Sequence, residues 1–206
     1  MSAALIAEAL RLNDRYLMEV VTAFGLCPWA ERALREGRVH RRVVVDPDPA
    51  PQSVLPLIDE LEDAAASALV DIGLFIFPRF AVTAAGFDRY TERLRQADRA
   101  RRPADVLPAF VLAAFHPQPP IRTPTTPHQL VPFIRRTPDP TIQLVRESTL
   151  RELRRTAHAL YEGIAERNHA AVTAAAGAGL ARLDAVADDI LRDRDRAYAQ
   201  IAFACP

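Results

Sequence analysis

Three short apolar runs, each closed by a turn or a proline, restrict this chain more than any other feature. Val39 to Val45 is rich in β-branched residues and ends in Asp46-Pro47-Asp48-Pro49, the pattern of a strand followed by a turn. Ile72 to Phe77 is stopped by Pro78, and Val106 to Phe115 by His116-Pro117; continuous runs of this kind read as buried strands. The intervening stretches have helical spacing. Val54, Leu57, Ile58, Leu61 and Ala65 share one face of a helix from Ser53 to Leu69, and Thr83 caps a second that turns Phe87, Tyr90 and Leu94 inward. Strand, helix, strand, helix, strand predicts an α/β or α+β chain built on a small three-stranded βαβαβ sheet. That sheet is at least partly parallel, because a crossover helix returns the chain to the same end. A ferredoxin-like sheet with an antiparallel strand is the alternative.

Helices flank this unit. Residues 3 to 24 carry apolar side chains near helical spacing and end at Gly25. A short helix follows, with Cys27 at the cap position, Pro28 at the first turn and Gly37 as its stop. The segment 117–140 holds eight prolines and reads as an extended loop, too proline-rich for helix or central strand. From Thr141 a helix is expected to run to Arg167 and close at Asn168, followed by Ala-rich helices to Ala202. At 206 residues the whole fits one domain, with a core at about 16–170 and a C-terminal helical extension at about 171–204. That extension either packs on the same domain or makes a homodimer.

Charge and composition exclude several function classes. The 26 basic and 26 acidic residues balance, so no net field draws in nucleic acid or a membrane surface. All the basic residues are Arg. Without Lys there is no Schiff-base pyridoxal phosphate chemistry and no phosphate-binding-loop Lys, and no G-x-G-x-x-G occurs among the seven glycines. Two cysteines, Cys27 and Cys205, do not make a secreted disulfide framework, and no signal-like or membrane-spanning run is present. A cytoplasmic protein is the expectation.

Three segments carry candidate chemistry. Cys27 opens a helix, where unpaired N–H groups favour a thiolate, although a free Cys is as often a small buried apolar residue. His116 ends the third strand, where ligands of open α/β sheets bind. Its candidate roles are general acid/base, or single axial ligand to a heme or another metal, set against a His that merely ties down the proline-rich segment. Arg135, Arg136 and Arg146 suit bidentate recognition of a carboxylate, a phosphate or heme propionates, against internal pairing with Asp139 and Glu147. Glu147 is a candidate proton acceptor, and His128 lies where it could join His116.

In order along the chain, Leu26-Cys27-Pro28-Trp29-Ala30, Phe115-His116-Pro117, Arg135-Arg136-Thr137-Pro138-Asp139-Pro140 before Gln143-Leu144-Val145-Arg146-Glu147, and Glu166-Arg167-Asn168 resemble one family. It is an uncharacterised bacterial domain of unknown function with no assigned activity, and the resemblance covers about residues 16 to 180. It implies a site where these motifs meet and leaves the chemistry open. Cys27-Pro28-Trp29-Ala30-Glu31-Arg32 is also similar to the thiol helix start of glutaredoxin-like and omega-class glutathione transferase proteins, but helix rather than strand precedes it. The leading expectation is a small enzyme that binds an anionic small molecule through Arg135, Arg136, Arg146 and His128, with His116, Cys27 and Glu147 as its chemical groups. The alternatives are a heme- or metal-dependent enzyme using His116, a glutathione-linked enzyme using Cys27, and a non-enzymatic binding protein whose Pro-x-x-Pro segments, Pro117–Pro120 and Pro124–Pro127, dock a partner.

Overall fold

A mixed four-stranded sheet, order β1-β2-β4-β3, divides the helices into two layers. The structure, a computed structural model, describes residues 2–66, 70–118, 123–156, 163–173 and 178–203. The strands are β1 (Val39–Val43), β2 (Ile72–Ile76), β3 (Phe110–Phe115) and β4 (Thr141–Arg146). β1 and β2 are parallel, joined through α3 (Leu55–Ala66), and a longer excursion through α4 (Ala84–Ala100) leads to β3. β4 runs antiparallel between β2 and β3, so the two parallel-running strands on either side of it never touch.

β4 corrects the three-stranded expectation and the long helix from Thr141. Ile142 and Leu144 alternate with Thr141, Gln143 and Val145, and the first pair enters the core on one side of the sheet. The strand runs into α6 (Glu147–Thr156) with no Gly or Pro between them, so local sequence leaves the boundary unmarked. Residues 157–162 lie outside the described part, and α7 (Ile164–Thr173) passes through Asn168 rather than ending there. The proline-rich segment is corrected as well. It contains α5 (Pro127–Ile134), because Pro127 occupies the first helical position, where no N–H is needed, and the Thr126 hydroxyl caps the N–H of Gln129.

One sheet face packs under α3 and α4 through Phe75, Leu112, Ile142 and Leu144. Phe87, Tyr90 and Leu94 of α4 are fully buried there, and the Thr83 hydroxyl caps the helix by accepting from the N–H of Gly86. The other face meets α1 (Ser2–Arg15), α2 (Pro28–Arg35), α5, α7 and α8 (Ala178–Phe203). α1 continues as a π-helical stretch, Tyr16–Thr22, and at its end Leu26 donates across five residues to Val21 at 2.9 Å. Gly25 then turns the chain with φ +60°, a conformation that disfavours side chains, and Gly37 ends α2 with φ +67°.

α8 buries Leu183, Ala187 and Ile190 against the same core. It also meets α1 through ion pairs: Asp193 accepts from Arg11 and Arg15 at 2.8 Å each. These guanidinium groups hold the Asp193 carboxyl down at about 2, below the ordinary aspartate value near 3.9. A depressed carboxyl stabilises the fold above its unfolded pKa and loses that contribution as pH falls towards the folded value. The α1–α8 contact should therefore weaken between about pH 4 and pH 2, by at most about 1 kcal/mol after solvent screening. Thermal melts across that range should show an acid loss that shrinks in Asp193→Asn; an unchanged loss would count against this contact.

Candidate functional site

A two-chambered cleft lies between the sheet and the helices of the α1 side. The inner chamber, about 250 Å³, is walled by apolar groups that include Leu17, Val21, Leu74, Phe115 and Ile134. The outer chamber, about 520 Å³, opens past Trp29, Val145, Arg146, Ser148 and Thr149. Cys27, Ile72, Arg135, Gln143 and Ile164 line both and mark the junction. Gln143 reaches the cleft because β4 alternates: Ile142 and Leu144 point into the opposite core, so Thr141, Gln143 and Val145 take this face. A polar residue thus stands in the middle of the sheet, beside the small Ala113 of β3.

Arg135 and Arg136 are adjacent but do different jobs. Arg136 is buried and paired with Asp184 and Asp188 of α8, so it is not available to a ligand. Arg135 turns the other way. Its guanidinium lies over the Phe115 ring, 5.3 Å from the centroid, and has no carboxylate within ion-pair distance among the described residues. Burial pushes its pKa down from the usual arginine value. An unpaired, largely desolvated cation is costly and attracts an anion. Arg146 also lacks an ion pair among the described residues and edges the outer chamber.

Asp139, three residues beyond Arg136, completes the fixing of this loop. Its carboxylate accepts from Arg194 at 2.7 Å and from the Tyr198 hydroxyl at 2.6 Å, with no exposed surface of its own. Thr137 and Thr141 both donate to the Asp139 carbonyl, closing the turn from within. The loop is therefore bolted to α8 on both sides of the Thr-Pro step.

His116 lies outside the cleft walls. Its Nε2 is 2.9 Å from the Val82 carbonyl and its Nδ1 accepts the N–H of Gln118 at 3.1 Å, an arrangement that places the proton on Nε2. Its own N–H donates to the Arg135 carbonyl. Both ring nitrogens are engaged by backbone, so the imidazole ties the turn at Gln118 to Val82, and ligation of a heme or metal would break one of these bonds. Among the described residues no cluster of three His, Cys, Asp or Glu could hold a metal ion. Glu147 pairs with Arg151 and borders a separate shallow depression beside Pro108 and Ala109. His128 is exposed on the first turn of α5, away from both chambers.

Cys27 caps α2 and lines both chambers, but burial pushes its thiol up, against the lowering effect of the N–H groups of Ala30 and Trp29. Desolvation outweighs the helix terminus. Cys205 lies outside the described residues.

Three further residues line the cleft: Tyr16 and Asn13 carry no clear sequence signal, whereas Asn168 belongs to the Glu166-Arg167-Asn168 motif. Tyr16 donates its hydroxyl to the Ile134 carbonyl at 2.8 Å, and burial raises its pKa. Asn168 donates from Nδ2 to the Leu26 carbonyl at 2.9 Å, holding the turn that presents Cys27. Asn13 is 1% exposed and lines the inner chamber, yet its Oδ1 has no hydrogen-bond partner among the described residues. A buried amide left this way costs about 1–3 kcal/mol.

This is a mixed α/β protein whose composite cleft is walled by segments far apart in the chain. Residues 8–182 match the model of a family described as protein of unknown function (DUF1415), and the chain belongs to that family. No curated protein and no solved structure matches it. No helix among the described residues is long and apolar enough to cross a membrane.

Because Asp139 is buried and accepts from both Arg194 and Tyr198, Asp139→Asn should destabilise the fold by about 1–3 kcal/mol, removing the buried one of the two carboxylates that Arg194 contacts. Chemical denaturation of wild type and variant measures this; a loss below about 0.5 kcal/mol would show that the bolt to α8 is not under load.

Proposed function

We propose that the protein is a small enzyme that takes an anionic small molecule in this cleft, with Arg135 as the anion's anchor. The observation that carries the reading is the Arg135 guanidinium: largely desolvated, without a carboxylate partner among the described residues, and at the junction of two chambers. Arg146 adds positive charge at the outer end, and the Gln143 amide supplies neutral hydrogen bonding between them. Fork-shaped guanidinium donors favour carboxylate or phosphate. The apolar inner wall favours a ligand with a hydrocarbon body rather than a bare inorganic ion.

Arg136 and Glu147, engaged by α8 and Arg151, take no part in this reading, and neither does the exposed His128. His116 serves it indirectly, by holding the Arg135 carbonyl. Cys27 is the thiol on the wall, largely protonated near neutral pH, so it acts as a nucleophile only if bound substrate or a co-substrate accepts its proton. The inward direction of Arg135 favours a ligand pocket over a partner-binding loop. Pro127 supports the same choice, since it begins a helix rather than an extended Pro-x-x-Pro segment.

The test is calorimetric titration with phenylpropanoate, octanoate and phenyl phosphate on wild type and Arg135→Gln. At least one anion should bind wild type, and the variant should lose about tenfold to hundredfold in affinity, the range for a charge-assisted hydrogen bond. Equal affinity in the two proteins, or binding to neither, contradicts the assignment.

A further inference from the structure

The inner chamber carries more information than charge alone. Asn13 of α1 lines it, and the Asn13 Oδ1 makes no hydrogen bond to any described residue. Asn13 belongs to the inner chamber only, whereas Arg135 also lines the outer one. A molecule seated in the inner chamber therefore meets both a cation and an unsatisfied amide oxygen on a wall whose apolar part includes Leu17, Val21, Leu74 and Phe115.

Apart from Gln143 at the junction, the rest of the wall is apolar or already bonded. Tyr16 spends its hydroxyl proton on Ile134, Thr137 donates to the Asp139 carbonyl, and Asn168 donates to Leu26. Asn13 is thus a separate call for a polar group, independent of Arg135. Its amide can both donate and accept, and a hydroxyl can do the same. Size sets a further limit. A cavity of about 150 Å³ suffices for benzene, so about 250 Å³ holds one ring with a short side chain and little more.

Building on the anion-binding reading of Arg135, we propose that the ligand is a hydroxylated aryl carboxylate, its carboxylate on Arg135 and its hydroxyl on Asn13. The ring packs against the apolar part of the wall, and the outer chamber lined by Arg146 is left free for a second reactant or for solvent. The hydroxyl donates to an Oδ1 that the fold otherwise leaves buried and unbonded, with the Asn13 side chain turning towards the chamber as the ligand enters. Ligands lacking the hydroxyl leave that amide unpaired and are discriminated against.

Three probes separate this inference from the reading it rests on: para-hydroxyphenylpropanoate, phenylpropanoate, and the uncharged para-hydroxyphenylpropanamide. Titrated into the full-length protein, the hydroxylated acid should bind about tenfold more tightly than the acid without the hydroxyl. Asn13→Leu should erase that preference while still binding both acids; the wild-type comparison stands alone if the variant does not fold. Equal binding of the two acids by wild type, or a hydroxyl preference that survives in Asn13→Leu, overturns this proposal and leaves the role of Arg135 intact. If the amide binds as tightly as its acid, or none of the three binds, both readings fall.

Discussion

The cleft depends on the way one proline-stiffened loop is fastened to α8. Arg136 reaches Asp184 and Asp188, and Asp139 accepts from Arg194 and Tyr198, so four residues of one helix grip two residues of one turn. The prolines at 138 and 140 leave that turn little freedom to lose. With Arg136 drawn to α8, its neighbour Arg135 projects to the opposite side and over the Phe115 ring. Arg136 is drawn to the aspartates of α8, and Arg135 is left without an ion pair among the described residues at the junction of the chambers. The partners on α8 lie beyond the residues matched by the family model, which ends at 182 although the helix begins at 178.

The shared sequence motifs become intelligible as a set of backbone ties around the same cleft. Asn168 of Glu166-Arg167-Asn168 holds the Leu26 carbonyl, immediately before Cys27. His116 of Phe115-His116-Pro117 holds the Arg135 carbonyl through its own N–H, while its ring fastens Val82 and Gln118. Tyr16, in the π-helical stretch, holds the carbonyl of Ile134. Such stretches recur at functional sites because they redirect side chains that a regular helix would send elsewhere. Most of the motif residues therefore position the site, and few of them face it.

What was legible in the sequence follows from how local each signal is. The three apolar runs, the Thr83 cap, Pro28 at the start of α2 and the left-handed Gly25 and Gly37 are decided by neighbours in the chain, and each lies where local physics puts it except Val106 and Leu107, which are exposed ahead of β3. β4 was hidden because its six residues run straight into α6 and because Leu144, Leu150 and Leu153 also fit a helical period. β-branched Thr141, Ile142 and Val145 directly after Pro140 were the available clue. α5 was hidden by proline count, though Thr126-Pro127 is itself a helix-start signal. Among the arginines, sequence could select the cluster but not divide it. Which of Arg135 and Arg136 stays free is settled by Asp184 and Asp188, about fifty residues away.

An anion on Arg135 would occupy the junction that Cys27 shares and shield its thiol. Alkylation of Cys27 by iodoacetamide, followed site by site by mass spectrometry while phenylpropanoate is titrated in, reads that shielding out. Saturable protection of Cys27 is expected in wild type and none in Arg135→Gln, with Cys205 unaffected in both. Cys27 alkylation indifferent to the anion at every concentration, or protection that persists without the guanidinium, would contradict the anchoring role of Arg135.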